Sequence, residues 1–119
     1  FTTGFNVEEP GKGMPEDERL FLEKATKVVL NNLDNVDFDV DDFCSQIFMS
    51  RTNLFRKLKA VTGQSATSFT RNIRLKQAAV LLKNASYSVN EVALMVGFAD
   101  PNYFARCFKE FFGKTPSNY

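Results

Sequence analysis

The sequence predicts an all-α fold: two helix-turn-helix subdomains joined by a long linker helix, with an extra helix in front of them. Three observations carry this. Apolar residues recur at helical spacing along most of the chain, one pattern repeats at an offset of fifty residues, and an uninterrupted helical pattern fills the interval between the two copies.

Residues 1–14, with Gly4, Pro10, Gly11 and Gly13, read as a linker. Segment 15–35 is an N-terminal helix. Pro15 suits a first helical position, and the acidic run Glu16-Asp17-Glu18 suits the positive end of the helix dipole. Phe21, Ala25, Val28 and Val29 give this helix one apolar face as far as about Leu33. That face packs on the domain or forms a dimer contact; it is too short for three coiled-coil heptads.

The first helix-turn-helix is expected over 36–64 and the second over 85–119. Ser50–Gly63 lies over Asp100–Gly113 without a gap. Ser50 and Asp100 are N-cap types, and Gly63 and Gly113 are C-terminal stops. Leu54 and Leu58 match Phe104 and Phe108 as inward positions, Arg56 matches Arg106, and Lys59 matches Lys109. Upstream, Val40–Ile47 lies over Val89–Val96, the second turn being one residue longer. Ser88 and Glu91 form a capping box, and Asp39 caps the corresponding helix of the first copy. Gly97 fits the second turn. Phe48 holds the matching place in the first, where a bulky side chain resists a left-handed backbone. Between the copies, 65–84 reads as one helix with Phe69, Ile73, Leu75, Ala78, Ala79, Leu81 and Leu82 on its buried side. Such a rod is roughly 27 to 30 Å long, near the ~34 Å between successive major grooves on one DNA face.

Charge is divided unevenly. Residues 1–48 carry four Lys/Arg and eleven Asp/Glu, net −7; residues 49–119 carry eleven against three, net +8. The basic part points to a polyanion partner, or to ordinary solvated helix faces. The split also predicts that the acidic part restrains general affinity for DNA. With no His, and with Cys44 and Cys107 far apart, neither a zinc site nor a Cys-His nucleophile assembles; no metal and no cofactor are expected. Both Cys sit in apolar patterns and read as buried structural thiols in a reducing compartment rather than as a disulfide. No phosphate-binding or dinucleotide fingerprint appears, so an enzyme is not expected in these residues. Nor does any apolar run reach the ~18 residues that span a bilayer. Two short helices around a tight turn, the second pairing an apolar inner stripe with Arg or Lys outside, form a unit whose second helix can enter a major groove. The competing reading is a helical protein-interaction module.

The run Arg74-Leu75…Ala78…Leu81-Leu82, followed by Ser88-Val89…Glu91-Val92-Ala93…Val96-Gly97-Phe98…Asp100…Tyr103-Phe104…Arg106…Phe108-Lys109…Phe112-Gly113…Thr115-Pro116-Ser117…Tyr119, resembles the signature of the AraC/XylS family of bacterial transcription activators. The resemblance covers about Phe38 to Tyr119. Ser50-Arg51…Leu58-Lys59…Thr62-Gly63 is most similar to the output domains of hybrid two-component sensors in that family. It implies a cytoplasmic part of a longer signalling chain, often one controlling polysaccharide or nutrient uptake, with histidine kinase activity elsewhere in that chain. It also implies sequence-specific binding of double-stranded DNA through recognition helices at about 50–62 and 101–112. The isolated domain is then monomeric and the full-length protein a homodimer, with RNA polymerase as a further partner.

Carried over residue by residue, the family's base-reading positions fall on Thr52, Phe55 and Arg56 and on Pro101, Asn102, Ala105 and Arg106. Arg56 suits guanine O6/N7. Phe55 either lies against a thymine methyl or turns back into the core. Asn102 and Arg106 carry the second readout, since Pro101 and Ala105 offer only apolar or shape contacts. Ser50, Arg51, Lys57, Lys59, Lys109 and Lys114 are assigned to phosphates, or else are solvated surface groups. The resemblance places Arg74 and Glu91 where the linker helix meets the second unit, as a buried ion pair. The Phe residues of the last twenty or so positions read as core rather than as a stacking platform.

Overall fold

The computed structural model describes residues 13–84 and 86–119, so most of the 1–14 linker lies outside the described residues. Among the described residues six α-helices appear in the order α1 (Glu16–Asn31), α2 (Val40–Ile47), α3 (Arg51–Thr62), α4 (Ala66–Leu82), α5 (Val89–Met95) and α6 (Pro101–Phe112), with a closing 3-10 turn at Pro116–Asn118. No strand occurs among the described residues. None of these helices is long and apolar enough to cross a membrane.

The chain forms two compact units. Among the described residues, one comprises 13–31 and Asp39–Thr70; the other joins Asn32–Phe38 to the residues from Arg71 onward. The loop 32–38, divided at 35 between two segments in the sequence reading, thus belongs wholly to the second unit, and α4 contributes to both.

Within the first unit, α1 buries Phe21, Leu22, Ala25, Val28 and Val29. It packs on α2 and α3, which supply Phe43, Ile47, Leu54 and Leu58. Phe43 meets Phe69 at 6.2 Å between ring centroids. Each such large side chain contributes roughly 1.5 to 3 kcal/mol when fully buried. The apolar face of α1 is therefore spent on the domain's own core. The ion pairs of Arg19 with Glu16 and Glu23 lie on the exposed side of α1 and contribute little.

In the second unit, Leu75, Ala78, Ala79, Val92, Ala93, Val96, Phe98, Phe104, Cys107 and Phe108 close one core, with Leu33 packed at its edge. Phe104, Phe108, Phe112 and Tyr119 stack in sequence at 4.6 to 5.7 Å between centroids; Phe98, Phe104 and Phe108 are buried in the core, Phe111 and Phe112 pack partly buried against it, and Tyr119 is exposed. Cys44 and Cys107 are both free thiols.

The helix ends are set by local chemistry. Asp39 accepts from the Asp42 amide while Asp42 accepts from the Asp39 amide, a compact capping box. These bonds, led by the Asp42 amide, hold the Asp39 carboxyl below its ordinary pKa. Ser50 and Asp100 cap α3 and α6 through the amides of Asn53 and Asn102. Ser88 and Glu91 form the expected box at α5. Gly63 and Gly113 end α3 and α6 at φ 75° and 81°.

Candidate nucleic-acid interface

Leu54 and Leu58 fix the rotation of α3, and Phe104 and Phe108 that of α6; all four are fully buried. Four positions per helix are thereby turned to the opposite side at i, i+3, i+4 and i+7 spacing: Thr52, Phe55, Arg56 and Lys59 on α3, and Asn102, Ala105, Arg106 and Lys109 on α6. All are exposed except Ala105, which is half-buried. Pro101 and Lys114 are exposed at the two ends of the second helix.

Phe55 does not turn into the core. It is 55% exposed, beside a shallow groove of about 410 Å³ lined by Val40, Arg51, Thr52, Leu54 and the start of α4. Ser50 is committed to capping through its Oγ, which leaves its hydroxyl hydrogen free to donate outward. Arg51 donates from Nε to Asp41 Oδ1 at 2.9 Å, both side chains being more than two-thirds exposed. Lys57 departs from the expected outward set. Its Nζ lies 5.7 Å from the Phe21 ring centroid, so it faces α1 rather than the Thr52/Arg56 side.

Tyr103, not among the residues carried over from the family, stands beside this stripe. The Arg106 guanidinium stands 5.5 Å over its ring, and that ring packs against Phe98 at 5.8 Å. The Tyr103 plane thus narrows the directions available to Arg106. The i, i+3 spacing of Tyr103 and Arg106 was the available signal.

Arg74 and Glu91 do not form the expected ion pair. Arg74 is 92% buried, its relative exposure being 8%, and it donates to backbone carbonyls: Nη1 to Gly97 at 3.1 Å, and Nη2 to Asn35 at 2.9 Å and Asn32 at 3.3 Å. Its Nε is buried without a partner. Burial alone pushes its pKa below the ordinary guanidinium value. Glu91 is exposed and accepts from the Ser88 amide at 2.7 Å. The carboxylate is occupied by its own helix cap, and the arginine ties the loop 32–38 to the turn between α5 and α6.

That turn needs Gly97. At φ 89°, a Cβ there would lie 2.5 Å from the Leu33 carbonyl oxygen and 2.6 Å from Arg74 Cζ. The first unit makes its bend with Phe48 at φ 60°, pointing into solvent at 89% exposure.

Capped helix pairs around left-handed bends, each presenting a polar outer stripe on its second helix, define the helix-turn-helix class of DNA-binding domain. Residues 43–119 match the family model described as a helix-turn-helix domain. The chain belongs to the AraC-type family of helix-turn-helix transcriptional regulator domains. It is 44% identical over 103 residues to histidine kinase P4 of Formosa agariphila, a match covering 87% of this chain and 7% of that protein. The chain spans about a third of the length of other curated relatives it matches. Among solved structures it is similar to the DNA-binding domain of the global transcriptional factor AdpA in complex with a target DNA, with TM-score 0.72 and 31% identity over 81% of this chain and 88% of that one. A second similar structure is the C-terminal domain of the two-component response regulator yesN from Fusobacterium nucleatum, with TM-score 0.74 and 25% identity over 82% and 94% of the two chains.

Proposed function

We propose that α3 and α6 are recognition helices that enter successive major grooves of one double-stranded operator. Arg56, Asn102 and Arg106 make the hydrogen-bonded base contacts, and Thr52, Phe55, Pro101 and Ala105 add apolar and shape contacts. The observation that carries this reading is the pair of matched outer stripes, Thr52/Phe55/Arg56/Lys59 and Asn102/Ala105/Arg106/Lys109, held outward by equivalent buried pairs. Arginine forks fit guanine O6/N7, and asparagine fits adenine N6/N7. Exposed Phe55 suits a thymine methyl. Ser50, Arg51, Lys59, Lys109 and Lys114 position the backbone; Lys57 is the weakest of the phosphate assignments because it faces α1.

The domain is the output part of a longer cytoplasmic two-component signalling protein that acts on transcription together with RNA polymerase. The domain itself is monomeric, and dimerisation is supplied by other segments of the protein. The kinase and response-regulator similarities support this wider reading.

The test is selection of bound fragments from a random duplex library at low and physiological salt, with an Arg56→Ala/Arg106→Ala double variant alongside. Two enriched patches about one helical turn apart, lost in the variant, are expected. A protein-interaction module would enrich nothing and would show little dependence of binding on salt.

A further inference from the structure

The two units differ at one exposed position that bears on DNA affinity. At the start of α3, Arg51 is tied to Asp41 of α2 by a 2.9 Å hydrogen-bonded ion pair. In the second unit, Pro101 takes the place of Arg51 and Asn90 that of Asp41, so the equivalent pair cannot form. Neither Arg51 nor Asp41 holds the fold together: their side chains are 68% and 73% exposed, and the cap of α2 is made by Asp39 and Asp42 without Asp41. A pair this exposed stabilises the folded chain little. Its location has a larger consequence, because Arg51 is the first residue of the helix whose outer stripe meets DNA.

We propose that Asp41 is an internal competitor for the phosphate backbone, withholding Arg51 from loosely bound, non-specific duplex and releasing it only when α3 is fully seated. This rests on the DNA-binding reading above and adds a regulation of that same surface. In a loose complex the protein is held by screened charge alone, and a phosphate several ångströms away competes poorly with a carboxylate already in hydrogen-bond contact. Full seating of α3 brings a phosphate oxygen to contact distance, where it accepts from the guanidinium as Asp41 does and adds the release of a counterion. The hydrogen bond and charge of Asp41 together raise the Arg51 pKa, as expected of an engaged pair. The acidic restraint suggested by the charge split is thereby narrowed to a single carboxylate.

The experiment measures the affinity of the whole chain for a fluorescent 24-base-pair duplex of arbitrary sequence across a salt series. The proteins are wild type, Asp41→Asn, Arg51→Gln, the double variant, and Asp34→Asn as a control that removes the same charge from an exposed residue of the other unit. Asp41→Asn is expected to tighten binding about three- to fivefold at low salt. It should also steepen the log–log salt slope by about 0.9, the signature of one added phosphate contact. Asp34→Asn should have a markedly smaller effect. Arg51→Gln should weaken binding in the wild-type background by about the effect of one lost surface charge, and should abolish the gain in the Asp41→Asn background. Equal effects of Asp41→Asn and Asp34→Asn would overturn the inference, as would a gain that survives Arg51→Gln, because Asp41 would then act only as one more negative charge. If wild type and every variant lack salt-dependent binding, the DNA-binding reading itself fails, an outcome distinct from the other two.

Discussion

The bends of the two units call for a backbone of positive φ, and the chain meets that requirement with opposite residues. Phe48 does so at φ 60° with its ring in solvent, and Gly97 does so at φ 89° in a buried position. A left-handed backbone costs a residue with a Cβ roughly 1 to 2 kcal/mol, which a fold can absorb. What a fold cannot absorb cheaply is a side chain with nowhere to go. The first bend is thus strained but open, whereas the second is confined by the Leu33 carbonyl and the Arg74 guanidinium.

The strongest way to break this comparison is Gly97→Ala. The added methyl meets backbone at Leu33 and an arginine pinned by three carbonyls, so the loss should be about 3 to 5 kcal/mol, combining left-handed strain, overpacking and weakened Arg74 bonds. Urea unfolding checks it, and a loss below about 0.5 kcal/mol would mean the confinement is relieved by an easy shift of Arg74.

Next in size is Arg74→Ala, expected to cost about 2 to 4 kcal/mol because it removes three hydrogen bonds from a charged donor and leaves the Gly97 carbonyl without its partner. Glu91→Ala should cost only about 1 kcal/mol, the value of a helix cap. Combined, the two losses should add to within about 0.5 kcal/mol, as for groups that share no contact. A coupling above 1 kcal/mol would restore the ion pair that the structure replaces with separate roles.

Which parts of this were legible in the sequence follows from the range of the forces involved. The caps at Asp39, Ser50, Ser88 and Asp100 and the stops at Gly63 and Gly113 were readable because each depends on neighbours within a few residues. The outward-facing stripes of α3 and α6 were readable because helical spacing and the buried Leu54/Leu58 and Phe104/Phe108 pairs leave one outward direction. The partners of Arg74 were hidden for a different reason. A backbone carbonyl has no letter in a sequence, so an arginine and a glutamate at a junction suggested an ion pair while the actual acceptors lay at Asn32, Asn35 and Gly97. The place of Lys57 beside the Phe21 ring was not readable because the two residues are far apart in the chain. Helix α1 ends at Asn31, two residues short of its apolar pattern, since Leu33 turns away to pack on the second unit's core, and α4 ends at Leu82, the last residue of its apolar pattern and two short of the expected segment.

The smallest effect is the sharpest test of what separates the bends. If Phe48 is strained only by its backbone, Phe48→Gly removes roughly 1 to 2 kcal/mol of left-handed strain and gives back part of it as the greater unfolded-state freedom of glycine. Little buried area is lost, because the residue is 89% exposed. The net expectation is a stabilisation of about 0.5 to 1 kcal/mol, seen as a higher urea midpoint at unchanged slope. A destabilisation would show that the ring makes contacts in solution worth more than its strain, and the bends would then differ in what their side chains touch rather than in how much room they have.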